Sequence, residues 1–427
     1  MAATTKTIIK CPKTGQYYTK ISHKSGLDIL VWKMDGFQST EVLFGTKYGS
    51  INTMFRKSGD KEYTVVPEGI AHFLEHKLFE NEDTDVFELY AKTGASGNAY
   101  TTFDKTCYLF SCSDNWEASL EILLSFVQSP YFTKETVDKE QGIIGQEIQM
   151  TNDNPYWVLF FNLLKAVYHN HPVRIDVAGT VDSIAQIDAD LLYKCYYTFY
   201  NLHNMVLSLA GNVDEDKVIE ICDKLCKPCE NEGLETVFPD EPEKVKDEYV
   251  EAILPVGTPI FNIGFKSADV TGRELLKAEL EAWFAISMLA DSSSPLYKSL
   301  LSEGYINNSF YTEIFCGDGY FVSIFGGESK DPMYVQNRIC EEIEKAKMHG
   351  LDESRFEELK KSLYGSKIRN WDNVEAVANS LINSYFAKVT PFDDISLISE
   401  MTFDDVQKCL LERFDTDNKA ISVIKSN

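Results

Sequence analysis

The chain has 427 residues, of which 44% are apolar and 25% charged, with a formal net charge of −25. That composition excludes a disordered protein and is long enough for more than one hydrophobic core. The negative charge argues against a nucleic-acid partner, whose phosphates it would repel, and no run of 18 apolar residues argues for a membrane span.

The first residues, MAATTKTIIKCPKTGQYYTK, carry neither an apolar leader core nor an Arg-rich amphipathic pattern, so a cytoplasmic protein is expected. The cysteines are scattered, and Cys107, Cys195 and Cys340 sit in apolar segments, as reduced thiols do. Residues Tyr17 to Lys33 read as two strands around the turn at Ser25-Gly26, and Glu41–Gly49 as a third. Residues 54–66 read as a polar linker.

The stretch Gly69 to Glu80, GIAHFLEHKLFE, reads as a helix, with Ile70, Phe73, Leu74, Leu78 and Phe79 at three- and four-residue steps. Pro67 suits a helix start. His72 and His76 are four apart and project from one face about one turn apart, a spacing that lets two imidazoles share one zinc ion. Glu75 falls beside them without having to be a ligand, placed to take a proton from a water that zinc acidifies. H-x-x-E-H is the inverted form of the zinc-peptidase motif.

Further on, Asp85–Lys92 is a short helix ended by Gly94. Ser96–Thr102 and Lys105–Cys112 pair as strands. Asn115–Gln128 is an amphipathic helix stopped by Pro130, and Lys134–Met150 is a second, acidic helix. Glu140 and Glu147 are two turns apart on it and face the same way. A catalytic zinc takes three protein ligands and leaves one position open. Glu147, Glu140, His169 and His171 are all candidates for the third ligand on chemistry alone.

An apolar helix at Tyr156–Tyr168 breaks at His169-Asn170-His171-Pro172. Helices near Ser183–Ile187 and at Ala189–Tyr200 precede a buried strand at Met205–Ala210. Cys222, Cys226 and Cys229 have a spacing that iron–sulfur clusters use. Cys222 and Cys226 share a helical face with Val218 and Ile219, so core packing is the better reading.

Composition turns acidic and proline-containing at KPCENEGLETVFPDEPEKVK, Lys227 to Lys246. This predicts an N-terminal zinc-bearing domain at 1–227, a linker at 228–246 and a second domain at 247–427 without a metal site. Strands at Tyr249–Leu254, Ile260–Phe265, Ser309–Phe315 and Tyr320–Phe325 are expected there. Helices are expected at Arg273–Leu289, Tyr334–Met348, Glu353–Asn370 and Val374–Phe386. A constant offset pairs Asp190 with Asp404, Lys194 with Lys408, Cys195 with Cys409, Tyr200 with Phe414, Asn204 with Asn418 and Ser208 with Ser422. The two halves therefore read as copies.

Four words, GIAHFLEHKLFE, GASGNAYTTFDKTCY, EQGIIGQEIQM and HPVRIDVAGT, occur in this order over Pro67–Thr180. In them the sequence resembles the pitrilysin and mitochondrial-processing-peptidase family of inverzincins. The resemblance implies an α+β fold of two homologous domains, each a mainly antiparallel sheet with helices packed on it, together forming one half of a clamshell. It implies one Zn2+ per chain bound by His72, His76 and Glu147, with Glu75 as general base and Glu140 as a supporting carboxylate. It implies that Asn98 and Ala99 lie on an edge strand along which peptide substrates extend.

One departure bears on function. Active family members carry an Arg and a Tyr in the other half, at positions that fall here at about Leu301 and near Asn307. Tyr305 and Tyr311 are nearby but out of place. The resemblance is therefore to the zinc-bearing member of a short bacterial heterodimer whose homologous partner supplies the pair, with a homodimer as the other arrangement. Short or unfolded peptides are the implied substrates. The alternative is a non-catalytic peptide-binding scaffold that keeps a relic zinc site.

Overall fold

The computed structural model describes residues 3–80 and 85–426. The chain begins with β1 (Thr5–Lys10), β2 (Tyr17–Ser22), β3 (Asp28–Lys33), β4 (Thr40–Thr46), β5 (Met54–Arg56) and β6 (Thr64–Val65). Helices α1 (Ile70–Leu78) and α2 (Val86–Thr93) lead to the hairpin β7 (Ser96–Thr101) and β8 (Thr106–Cys112). Then come α3 (Trp116–Val127), α4 (Lys134–Asn152), α5 (Pro155–Val167), α6 (Val181–Ile184), α7 (Ala189–Phe199), β9 (Met205–Gly211), α8 (Glu215–Leu225) and β10 (Glu235–Thr236). The next elements are β11 (Tyr249–Ile253), β12 (Ile260–Lys266), α9 (Gly272–Ala290), α10 (Pro295–Ser302), β13 (Tyr311–Gly317) and β14 (Tyr320–Glu328). The chain ends with α11 (Pro332–His349), α12 (Glu353–Asn370), α13 (Val374–Phe386), α14 (Asp393–Glu400), α15 (Phe403–Arg413) and β15 (Lys419–Lys425).

Local chemistry sets many of these ends. Asp85 caps α2 by accepting from the Phe87 N–H, and Gly94 closes it in the left-handed conformation. Asn154 caps α5, whose first turn begins with Pro155. Thr402 and Asp405 form a capping box on α15.

The architecture is α+β, in two compact units whose segments interleave. The first comprises Met1–Ile148, Asp176–Val237 and Lys367–Asp393; the second comprises Gln149–Ile175, Phe238–Ser366 and Asp394–Asn427. One crossing lies within the acidic stretch at 228–246. The others arise because α5 and α13 pack away from their sequence neighbours.

The first unit is built on a seven-stranded sheet of order β1-β2-β3-β9-β4-β8-β7, beside a small sheet β10-β5-β6. Strands β3 and β9 are parallel and the other neighbours of the large sheet antiparallel. Both faces are covered. Val42 and Phe44 of β4 enter one core, with α1, α3 and α7, while Leu43 enters the other. Strand β9 accordingly reads as a nearly unbroken apolar run, and every residue of β4 is buried. Helix α13 closes the second face: Ala378, Leu381 and Ile382 pack with Trp32, Leu43 and Val206, and Ser208 Oγ donates to the Ala378 carbonyl at 2.8 Å.

The second unit repeats the core of the first. Its sheet order is β11-β15-β12-β14-β13, with β11 and β15 parallel and the rest antiparallel. That is the pattern of β3-β9-β4-β8-β7. Helix α15 and strand β15 match α7 and β9 in length and in the order helix, turn, strand. The paired asparagines act alike: Asn204 Nδ2 donates to the Lys47 carbonyl at 3.4 Å and Asn418 Nδ2 to the Lys266 carbonyl at 3.2 Å, each at the end of the matching strand β4 or β12. In this unit Leu159 of α5 packs with Ile260 and Ile424. No helix among the described residues is long and apolar enough to cross a membrane.

A buried ion pair holds the second unit's connections. Lys266 Nζ lies 2.7 Å from Glu241 Oε1 and donates to the Pro242 carbonyl at 2.7 Å. Glu241 also accepts from the N–H groups of His169, Asn170 and His171. Burial opposes the charge on Glu241, but Lys266 and these three donors hold its carboxyl at about 2. Its folded value is thus depressed, so its stabilisation is present above the ordinary carboxylate range and drains away as pH falls from about 4.5 towards 2. Glu241→Ala is expected to cost about 3 kcal/mol at pH 7 by leaving Lys266 uncompensated. Urea unfolding at pH 7 and pH 2.5 checks this: the gap between variant and wild type should shrink in acid.

Candidate metal centre

The centre lies in the first unit, where side chains of α1 and α4 meet beside strand β7. Helix α1 buries Ile70, Phe73, Leu74 and Leu78, which turns His72, Glu75 and His76 towards its other side. Its start is unusual. Gly69, not Pro67, caps it, with φ 88°. A Cβ on Gly69 would lie 2.4 Å from the Ala178 carbonyl oxygen, and one on Gly179 would lie 2.6 Å from the Glu68 carbonyl oxygen. Ser183 Oγ donates to that same Glu68 carbonyl at 2.9 Å. The Ala178-Gly179-Thr180 end of the fourth word thus buttresses the helix that carries the histidines.

Helix α4 buries Val137, Glu140, Ile144 and Ile148 at three- and four-residue steps, with Glu147 alongside. Glu140 is only 4% exposed, and its Oε1 is 3.0 Å from His76 Nδ1. Glu147 Oε1 is 3.7 Å from His72 Nε2, and its Oε2 is 3.7 Å from His76 Nε2. The two imidazole rings stand 4.6 Å apart at 65°. Donor atoms of His72, His76 and Glu147 all fall within 4.8 Å of one another. Ligands about 2 Å from a tetrahedral ion lie about 3.3 Å apart, so this set fits a zinc ion with little adjustment. The Glu140 contact also suits a ligating His76, whose second nitrogen needs such a partner. His72 Nδ1 is buried without a hydrogen-bond partner among the described residues.

The electrostatics separate the roles further. Burial, with His76 alongside, pushes the His72 imidazole down to about 3. It is therefore neutral, as a metal donor must be. Burial works against the charge on His76 too, but the Glu140 hydrogen bond and the carboxylates of Glu75 and Glu147 prevail and raise it. Burial favours neutral Glu140, yet His76, Lys77 and Lys139 hold its carboxyl below the usual range. Glu75 moves the other way: burial raises it, against the Thr101 hydrogen bond and His76. Two carboxylates beside one histidine pair are thus pushed apart, one towards the charged form and one towards proton uptake.

Glu75 is oriented by β7. Thr101 Oγ1 donates to Glu75 Oε2 at 2.6 Å. Strand β7 pairs with β8 alone among the described strands, Asn98 opposite Leu109 and Ala99 opposite Tyr108. No described strand pairs with its other edge. Asn98 is exposed, and its Oδ1 accepts from the Ala99 N–H.

The remaining candidates are engaged elsewhere. His169 donates its N–H to Glu241, and buried His171 has Nε2 3.1 Å from the Asp318 carbonyl oxygen. Neither belongs to the converging donor set. Cys222 and Cys226 are core residues and Cys229 is exposed. The Cys226 hydrogen bond and burial drive the Cys222 thiol well upward, the opposite of what a metal thiolate needs. In the second unit Leu301 is exposed on α10, and Asn307 Nδ2 donates to Glu328 at 2.7 Å. Sequence reasoning missed Thr101, Gly69 with Gly179, and Lys77. Thr101 was readable as the residue two beyond Ala99, on the same face of the strand.

Comparison with known proteins gives the chain relatives. The profile of the insulinase family, peptidase family M16, matches residues 58–181, which contain the whole donor set. The profile of the peptidase M16 inactive domain matches residues 186–363. The zinc protease YmfH of Bacillus subtilis, itself uncharacterised, is 39% identical over 95% of both chains. The crystal structure described as an M16-like peptidase from Alicyclobacillus acidocaldarius is 31% identical, with a TM-score of 0.91 over 100% of this chain and 99% of that one. A Helicobacter pylori protease, 18% identical with a TM-score of 0.82 over 99% of this chain and 100% of its own, shares the fold.

Proposed function

This chain belongs to peptidase family M16, and from that premise we propose that it hydrolyses short or unfolded peptides as the zinc-bearing subunit of a two-chain enzyme. The observation that carries this reading is the convergence of His72, His76 and Glu147, with Glu75 held beside them by Thr101.

His72, His76 and Glu147 are the residues that would hold zinc. A zinc ion there supplies Lewis acidity towards a water and a peptide carbonyl. Glu75 accepts the water's proton and returns it to the leaving amine; its raised proton affinity suits both directions. Glu140 fixes the His76 ring through Nδ1. The open edge of β7 receives the substrate as an added strand, with Asn98 and Ala99 along it. Main-chain hydrogen bonds then select extension more than sequence, which favours unstructured peptides. Leu301 and Asn307 offer neither the cation nor the phenol expected at those positions, so a homologous partner chain provides the groups that stabilise the oxyanion.

Purified chain should carry one zinc ion by elemental analysis. With its partner it should cleave an unstructured peptide library, lose that activity to a chelator and regain it with zinc. The missing Arg and Tyr favour a second reading, a peptide-binding scaffold with a relic site. Substoichiometric zinc together with retained peptide binding would decide for the scaffold.

A further inference from the structure

The last turn of α1 holds a cation where an apolar residue is expected. Lys77 packs on the core side of the helix with Phe73, Leu74 and Leu78, and its side chain is 0% exposed. Its ammonium donates to the Thr136 carbonyl of α4 at 3.3 Å and pairs with Glu80. Glu80 Oε1 in turn lies 3.6 Å from Lys139 Nζ, also on α4. Burying an ammonium is costly, and an apolar side chain of similar volume at such a site is often as stable or more so. Stability alone therefore does not account for a lysine here.

Its geometry does. Helix α4 touches α1 at three successive levels: Thr136 meets Lys77, Glu140 meets His76 Nδ1, and Glu147 meets the Nε2 atoms of His72 and His76. At about 1.5 Å per residue these levels span about 16 Å of α4. Only the first is independent of the donor set. A slip of α4 by one residue would carry the Glu147 carboxylate about 1.5 Å, against a tolerance of about 0.2 Å for ligand distances.

We propose that Lys77, with Glu80, is a positioning residue that sets the register of α4 along α1 and so presents Glu147 to the metal. This rests on the zinc reading above. Lys77 touches neither substrate nor metal. It acts through Glu140 and Glu147.

The test uses the full chain and compares wild type with Lys77→Met, Lys77→Arg and Glu80→Gln. Three quantities are measured: melting of the metal-free chain, zinc affinity by chelator competition, and the visible absorption of the cobalt-loaded protein. Lys77→Met should melt at or above the wild-type temperature yet bind zinc about 10- to 100-fold more weakly, with an altered cobalt spectrum. Lys77→Arg, which keeps a donor for Thr136 and Glu80, should recover most of the affinity. Glu80→Gln, which leaves no cavity, should lose less affinity than Lys77→Met and reports on the tether should the latter not fold. Wild-type zinc affinity and an unchanged cobalt spectrum in both Lys77→Met and Glu80→Gln would overturn the proposal. So would a loss of affinity that only follows a loss of melting temperature. A wild-type chain that binds neither metal overturns the zinc reading itself, and the tether with it.

Discussion

Replacing Glu75 by Gln is expected to lower turnover of an unstructured peptide by on the order of 10^3- to 10^4-fold while leaving zinc content at the wild-type level. The side chain sits on α1 next to His76, but its Oε2 is taken by the Thr101 hydroxyl and it stands outside the converging donors. Glutamine keeps the shape and still accepts from Thr101; what it loses is the ability to take a proton. The carboxylate's proton affinity is raised by burial, against Thr101 and His76. That moves it towards the operating pH, where a general base is most effective. Thr101→Val should do less, about tenfold, because it frees the carboxylate to rotate without removing it. Steady-state kinetics on a fluorogenic peptide, with the partner present and zinc measured in parallel, separate the outcomes. A kcat deficit at unchanged zinc supports the base role; full activity in Glu75→Gln would sink it.

What the sequence made legible follows from how local each signal is. Helix α1, the β7–β8 hairpin and α4 were readable because their apolar residues repeat at steps of three, four or two over a single stretch. Half of the donor set was readable for the same reason: four-residue spacing fixes His72 against His76, whereas the spacing of Glu140 and Glu147 left the third group open, and only the family resemblance singled out Glu147. Strand β1 carries no such signal. It is an edge strand with Ile8 exposed, so no alternation is imposed on it. The stretch at 54–66 read as linker but holds β5 and β6, very short strands that pair with each other and, through β5, with Glu235 and Thr236 of β10. A pairing over that separation leaves no mark on either segment. Helix α10 is two turns long, too short for its period to stand out. The interleaving of the units was hidden for a different reason. Helix α13 shows an apolar face, but nothing in its residues says that the face belongs on β4 and β9, where Gly45 leaves room for Ile382. The helix start at Gly69 was legible, but the reason a glycine stands there was not, because the constraint on Gly69 is the Ala178 carbonyl, about a hundred residues on.

Glu147→Ala is expected to weaken zinc binding by well over 100-fold, and Glu140→Gln by about 10- to 100-fold. The two carboxylates look alike in sequence, seven residues apart on one helix; their geometry distinguishes them. Glu147 presents one oxygen to each Nε2 at 3.7 Å, in the position of a ligand. Removing it leaves two imidazoles, and an ion with two protein ligands instead of three. Glu140 faces Nδ1, on the far side of the His76 ring, and is 4% exposed. Its glutamine variant still accepts from Nδ1 through the amide oxygen, so the ring keeps its orientation but loses the anionic partner that strengthens its donation. Both changes should lower activity, so activity alone does not tell them apart. Zinc titration does, since excess zinc should restore the kcat of Glu140→Gln towards wild type and leave Glu147→Ala far below it. Equal zinc affinities in the two variants would mean that Glu147 supports the site as Glu140 does, and that the third ligand is another residue.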